Sequence, residues 1–301
     1  MRRAFALLAL GLAMAGCGLG AGDEQPGGVE LRITRDFGRQ LVDQEQRSEI
    51  RQGDTVMRLL RSSQKVDTRY GGRFVQSIGG VSGGGPEGRR DWFFFVNGIE
   101  SDVGAAEYDL HPGDRIHWDY RHWEAAMSIP AIVGAFPEPL VRGTKGKRFP
   151  VRVECSDEDG AACGAANRRL REAGVRTSSS AFGADATRNV LRVVVAPWPR
   201  ARMIQAVGRL TGKPDETGVF AHFSGDRLEL LDSRGQTART APPGTGLVAA
   251  LKPAAEEILW VVSGVDDRGT ERAARSLDRK TLADAFAVAA TPQGPKDLPL
   301  Q

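Results

Sequence analysis

Residues 71–120 read GGRFVQSIGGVSGGGPEGRRDWFFFVNGIESDVGAAEYDLHPGDRIHWDY. Three of the five tryptophans and all three tyrosines lie between Tyr70 and Trp123, so a core is concentrated here. Arg73 to Ile78 reads as a strand, and Gly79 to Arg90 as a glycine-rich loop that contains Pro86. Asp91 to Val96 is short and nearly all apolar, which predicts a strand covered on both faces. Asn97-Gly98 is a hairpin signal, because both residue types tolerate positive φ. His111-Pro112-Gly113-Asp114 is a second tight turn. Arg115 to Tyr120 closes the block as a strand, with Ile116, Trp118 and Tyr120 on one face and His117 and Asp119 on the other.

Towards the N-terminus, Val29, Leu31 and Ile33 alternate with polar residues, which is a strand pattern, and Gln40–Arg51 holds a second. After the Gln52-Gly53-Asp54 turn, Val56, Leu59 and Leu60 share one face of a helix that Asp54 or Thr55 can cap. Two strands, one helix, then strands and hairpins predict a small sheet with a helix against one face, a β-grasp-like arrangement.

Residues 1–16 read as a targeting segment. Arg2 and Arg3 precede the apolar run Ala4–Ala13, which is too short to span a bilayer by itself. Met14-Ala15-Gly16-Cys17 resembles the lipobox of bacterial lipoproteins, with Met in place of the usual Leu, which implies lipidation of Cys17 and a membrane-anchored, extracytoplasmic chain. Residues 17–28 are small, polar and glycine-rich, a flexible tether. Removing Arg2 and Arg3 leaves 39 basic against 38 acidic residues, a formal charge of +1. That balance, without a clustered basic face, argues against a nucleic-acid partner. Outside the cytoplasm, Cys155 and Cys163 fit a disulfide better than two free thiols. They lack the further ligands that a zinc site requires.

Residues 123–148 are too apolar for a free linker, with Ile129, Ile132, Val133 and Phe136, and read as a docked connector ending in a basic turn at Lys145–Arg148. From 149 to 290 the expectation is an α/β domain: strands at 149–153, 189–196, 218–223, 227–231 and 258–263, a strand or helical turn at 247–251, and helices at 163–173, 202–210 and 270–277. Its loop Ser263-Gly264-Val265-Asp266-Asp267-Arg268-Gly269 reads as a helix cap, since two aspartates would repel an anion. The Pro-rich tail 291–301 is expected to be disordered. The fold class is therefore α+β, a β-grasp-like domain (29–122) followed by an α/β domain of unrecognised family.

The motifs GDTVMRLL, GGRFVQSIGGV, WFFFVNG, VGAAEY and HPGDRIHWDY, taken in order, resemble a family of unknown-function domains grouped with the C-terminal domain of transcobalamin and intrinsic factor, in the soluble-ligand-binding β-grasp superfamily. The resemblance covers residues 29–122. It implies ligand contacts from Phe74, Gln76 and Ser77 in the first strand and from Trp92 and Phe94 in the aromatic strand. In those relatives the ligand lies between this domain and a helical barrel, which this chain lacks. The alternation of Phe74, Ile78, Trp92, Phe94 and Trp118 equally fits a sheet core.

Gly80-Val81-Ser82-Gly83-Gly84 fits G-x-S-x-G and Gly83–Gly88 fits G-x-G-x-x-G by letters alone, but this glycine-rich loop sits between two strands and opens no helix. The sequence holds no HExxH or phosphate-binding loop, and His111, His117 and His122 lack ligand spacing. The expectation is a non-enzymatic, lipid-anchored binding protein capturing a small molecule, cobalamin-like compounds among the candidates, with no metal assigned and the cofactor unknown. The alternatives are an envelope protein-interaction module and an enzyme in the α/β half.

Overall fold

The computed structural model describes residues 24–84, 88–184 and 188–301. The signal segment 1–16, Cys17 and the first part of the tether lie outside the described residues.

The N-terminal half comprises β1 (Glu24–Arg35), β2 (Gln40–Arg51), α1 (Val56–Ser63), β3 (Val66–Arg69), β4 (Phe74–Ile78), β5 (Val81–Ser82), β6 (Arg90–Val96), β7 (Ile99–Glu100) and β8 (Arg115–His122). One sheet has the order β2-β1-β8-β6-β7, with β1 and β8 parallel at its centre and the other pairs antiparallel. A smaller sheet, β3-β4-β5, lies beside it. Thr55 caps α1 by accepting from the Arg58 amide at 3.3 Å, while the Asp54 carboxylate takes the Arg51 amide of the turn instead. Val56, Leu59 and Leu60 of α1 pack on Leu31, Ile33, Trp118 and Trp92. Asn97 (φ 54°) and Gly98 (φ 78°) turn β6 into β7, as their residue types require. The tether expectation fails from Glu24 onward. Glu24 and Gln25 pair with Arg51 and Ile50 of β2, and a register shift between Pro26 and Val29 absorbs the Gly27-Gly28 pair.

The C-terminal half begins with β9 (Val151–Cys155), α2 (Ala161–Glu172), β10 (Thr177–Ser179) and β11 (Leu191–Pro197). Short helices α3 (Trp198–Ala201), α4 (Gln205–Gly208) and α5 (Pro214–Thr217) follow, then β12 (Ala221–Ser224), β13 (Arg227–Leu231) and β14 (Thr237–Thr240). The chain ends with β15 (Gly246–Ala254), β16 (Glu257–Gly264), α6 (Asp267–Arg275), α7 (Arg279–Leu282), β17 (Ala287–Thr291) and β18 (Gly294–Leu298). A seven-stranded mixed sheet has the order β10-β9-β11-β16-β15-β17-β18, and β12-β13-β14 form a separate meander. Helices α2 and α6 supply Ala166, Leu170, Ala273 and Ala274 to one core, and Phe220, Phe223, Leu228 and Leu230 supply the other face.

Two further expectations are corrected. The helix over 202–210 is instead separate turns, because Ile204 adopts an extended ψ of 114° between α3 and α4. The tail 291–301 is not disordered. Residues 294–298 form β18, an edge strand paired antiparallel with β17, and Leu298 is buried.

The connector ties the halves together. Ile129 and Ile132 enter the core shared with Phe95 and Phe220, and Val133, Phe136 and Leu140 enter the α2–α6 core. Phe37 and Phe95 of the N-terminal sheet meet Phe286 edge-on at 5.3 and 5.5 Å, and Phe37 meets Phe220 at 5.0 Å. Arg32 forms a forked ion pair with Asp284. Gly38 permits this approach, since a Cβ there would lie 1.9 Å from the Asp284 carbonyl oxygen.

Candidate functional site

The residues that the sequence marked for ligand contact fall into different environments. Trp92 is buried, packs 5.2 Å from Tyr120, and donates its indole N–H to the Val81 carbonyl at 2.8 Å. Phe94 stacks on Trp118 at 4.8 Å and packs against the α1 core. Ser77 is buried and donates to Asp67 at 2.6 Å. These three are occupied by the fold itself. Gln76 is half-buried on β4. Phe74 is exposed and meets the exposed Tyr70 ring edge-on at 6.3 Å. The polar tips of the buried aromatics clamp the stem of the glycine-rich loop to the sheet: the Trp92 indole bonds Val81, and the Tyr120 hydroxyl donates to the Ser82 carbonyl at 3.0 Å.

Cys155 and Cys163 form the expected disulfide, joining the end of β9 to the first turn of α2. Asp266 caps α6 by accepting from Gly269 at 2.7 Å, and its second oxygen accepts from Gly244. That loop lines a hollow of about 350 Å³ together with the ends of β9 and β11.

A cleft of about 300 Å³ lies where the two halves meet. Its apolar lining is Val96, Ile99, Tyr108, Phe149, Leu191 and Ile258, so β6, β7 and the loop before β8 face the connector, β11 and β16. Lys145, Lys147 and Lys252 stand at its polar margin with Glu100, Asp102 and Glu256. Lys145 reaches both Asp102 oxygens at 2.9 and 3.0 Å, and this bond holds the Asp102 carboxyl below its usual range. Burial, reinforced by the Asp114 charge, pushes the Tyr108 phenol up, so it stays neutral. A neutral phenol, two ammonium groups outside the Lys145–Asp102 pair, and an apolar wall suit a small molecule with an apolar body and an anionic end. The basic turn at Lys145 is visible in the sequence. Its place beside Tyr108 and Lys252 is not, because each lies more than 30 residues away along the chain.

Behind this cleft the sheet carries a buried polar network. Asp119 accepts from the Phe37 and Gly38 amides at 3.0 Å each and from the Thr34 hydroxyl at 2.6 Å. Thr34 also lies 2.6 Å from His117 Nε2. Since the hydroxyl proton goes to Asp119, Nε2 is the protonated nitrogen that donates. Burial lowers the His117 pKa, and the ring stays neutral. Arg121 is fully buried. It donates to the Ala126 and Met127 carbonyls at 2.8 and 3.0 Å, and its guanidinium lies 3.8 Å from the Phe93 ring centre. Burial pulls its pKa down to about 10, so it remains charged at neutral pH. Among the described residues no group of three or more His, Cys, Asp or Glu is placed to hold a metal ion, and no helix is long and apolar enough to cross a membrane.

A family model described as "Domain of unknown function (DUF4430)" matches residues 53–122. The match spans α1 to β8, the segment that holds Trp92, Phe94 and the loop stem. A solved structure titled as that of a "putative metal binding protein" from Ruminococcus gnavus ATCC 29149 is 12% identical, covers 32% of this chain and 98% of its own, and has a TM-score of 0.26. No curated protein matches the chain.

Proposed function

We propose that the chain is a non-enzymatic binding protein, tethered outside the cytoplasm by lipid on Cys17, that holds a small molecule between a β-grasp N-terminal domain and the C-terminal half. One observation carries this reading: the cleft of about 300 Å³ draws its walls from both halves. None of Phe74, Gln76, Ser77, Trp92 and Phe94, the contacts implied by the resemblance to transcobalamin and intrinsic factor, lines this cleft, so what the reading takes from that resemblance is only a ligand held between two domains. The parallel β1–β8 pair, flanked by β2 and β6 and covered by α1, supports the β-grasp assignment. A volume near the lower end of ligand pockets, about 300–1,000 Å³, supports a ligand of metabolite size over an intact cobalamin.

The test is mass spectrometry of the protein purified from its native cells, read for a retained small molecule and for lipid on Cys17. The expected result is a co-purifying anionic amphiphile that raises Tm and is lost in Ile99→Trp, which fills the cleft, and in Lys252→Glu. Retention that survives both substitutions would overturn the assignment of the cleft. Membrane association that survives Cys17→Ser would overturn the anchor.

A second reading rests on the exposed pair Tyr70 (80% exposed) and Phe74 (38%), with Val103 also exposed. These suit a protein partner in the envelope. On that reading Tyr70→Ala/Phe74→Ala abolishes co-purification of the partner, and the cleft variants leave it intact.

A further inference from the structure

A second concavity, of about 660 Å³, shares no lining residue with the cleft and lies between the ends of β1 and β2, the 111–114 turn, the connector and α7. Five arginines line it: Arg47, Arg115, Arg142, Arg148 and Arg279. They come from distant parts of the chain, two from the N-terminal sheet, two from the connector and one from the C-terminal half. Only two carboxylates, Glu30 and Asp114, stand among its lining residues, and both are already engaged. Glu30 pairs with Arg115 at 2.9 Å. Asp114 is buried and accepts from the His111 amide and the Asn97 side chain, each at 2.9 Å. Arg142 is held by Glu138 from below, at 2.5 Å, and Arg47 by Glu45 at 2.8 Å. Arg148 and Arg279 form no ion pair among the described residues and are exposed.

The walls are shaped to bring these cations in. Gly113 has φ +85°, and a Cβ there would lie 2.3 Å from Arg142 Nε, so only glycine admits this close approach of the Arg142 side chain to the turn. Gly146 likewise admits the His111 ring, which would sit 2.4 Å from a Cβ. With Arg47, Arg115 and Arg142 paired to carboxylates, Arg148 and Arg279 are the uncompensated cations of the groove, and an oxyanion bound there would accept their forked hydrogen bonds.

We infer that this groove is a binding site for a small, multiply charged oxyanion of the phosphate class, read by Arg148 and Arg279 against the anchored Arg115 and Arg142. The site is separate from the interdomain cleft and does not rest on its assignment.

The probe is inorganic pyrophosphate, titrated calorimetrically into the full mature protein in low-salt buffer. The expected result is saturable binding that weakens about 10-fold or more in Arg148→Gln/Arg279→Gln, with the Tm of the ligand-free protein unchanged because both side chains are exposed. The exposed pair Arg176→Gln/Arg234→Gln, away from the groove, leaves the affinity as it was. Lys252→Glu, in the cleft, also leaves it as it was. Absence of saturable binding overturns the inference. So does equal weakening by the Arg176/Arg234 pair, which marks non-specific charge attraction, and so does loss in Lys252→Glu, which places the anion in the cleft.

Discussion

The two faces of the N-terminal sheet are built from the same strands and follow different physics. On the face towards α1, Leu31, Ile33, Trp92, Ile116 and Trp118 make an apolar core of the kind that alternation predicts. On the opposite face the same strands present Thr34, His117, Asp119 and Arg121, and these too are buried, because the C-terminal half and connector cover them. The first face is stabilised mainly by area removed from water. The second adds partners for its polar side chains: Asp119 in the β1–β2 turn amides, Arg121 Nη1 and Nη2 in the Ala126 and Met127 carbonyls, His117 in Thr34, with Arg121 Nε left unpaired. A sheet face that looks solvent-directed in sequence can thus be an internal seam between halves.

Substitutions that act on one face at a time sharpen this contrast. Trp118→Ala leaves a cavity on the α1 face and is expected to cost about 4 kcal/mol in urea unfolding. A loss under about 1 kcal/mol would show that α1 is loosely packed. Arg121→Ala strands two carbonyls and the nearby Glu100, with an expected cost of about 3 kcal/mol. Arg121→Met fills the same volume without a charge and is expected to recover part of that loss. If Met is as damaging as Ala, the hydrogen bonds rather than the packing hold the seam.

The third test is pH. Burial depresses the folded pKa of His117 below its ordinary 6.5, so below that pH the unfolded chain binds more protons and stability falls with acidity. Asp114 and Asp91 have folded pKa values raised by burial, and their contribution runs the other way, declining as pH rises above 3.8. Comparison with His117→Gln cancels these carboxylates. Relative to that variant, wild type is expected to lose up to about 1.4 kcal/mol per pH unit below 6.5. Parallel stability curves would mean that His117 is not buried as a neutral ring. The smallest effect belongs to the cap of α1: Thr55→Ala is expected to cost about 1 kcal/mol, and an unchanged Tm would show that the Thr55 hydroxyl contributes nothing to the helix.

Much of the N-terminal fold was legible because its signals are local. Asn97-Gly98 selects a turn by backbone sterics, Thr55 caps whatever helix follows it, and the nearly all-apolar run at Asp91–Val96 required cover on both sides, which the structure supplies. The candidate site was far less legible. Trp92, Phe94 and Ser77 looked available for a ligand, yet each is engaged by a partner more than nine residues away in sequence. The tail misled for a related reason. Pro295 and Pro299 argue against a regular strand, but 294–298 need only pair on one side, as the edge of a sheet whose existence depends on β15 and β17.

From its sequence alone this protein determines the main strands of the N-terminal sheet, the Thr55 and Asp266 caps, the Asn97-Gly98 turn and the Cys155–Cys163 pairing, since those follow from side-chain sterics, alternation and short-range hydrogen bonding. Tertiary structure alone decides that His117, Asp119 and Arg121 are internal, that Lys145 and Lys252 face Tyr108 across one cleft, and that five arginines converge on one groove. Burial and electrostatic proximity depend on which surfaces meet in space, and no local pattern along the chain encodes that meeting.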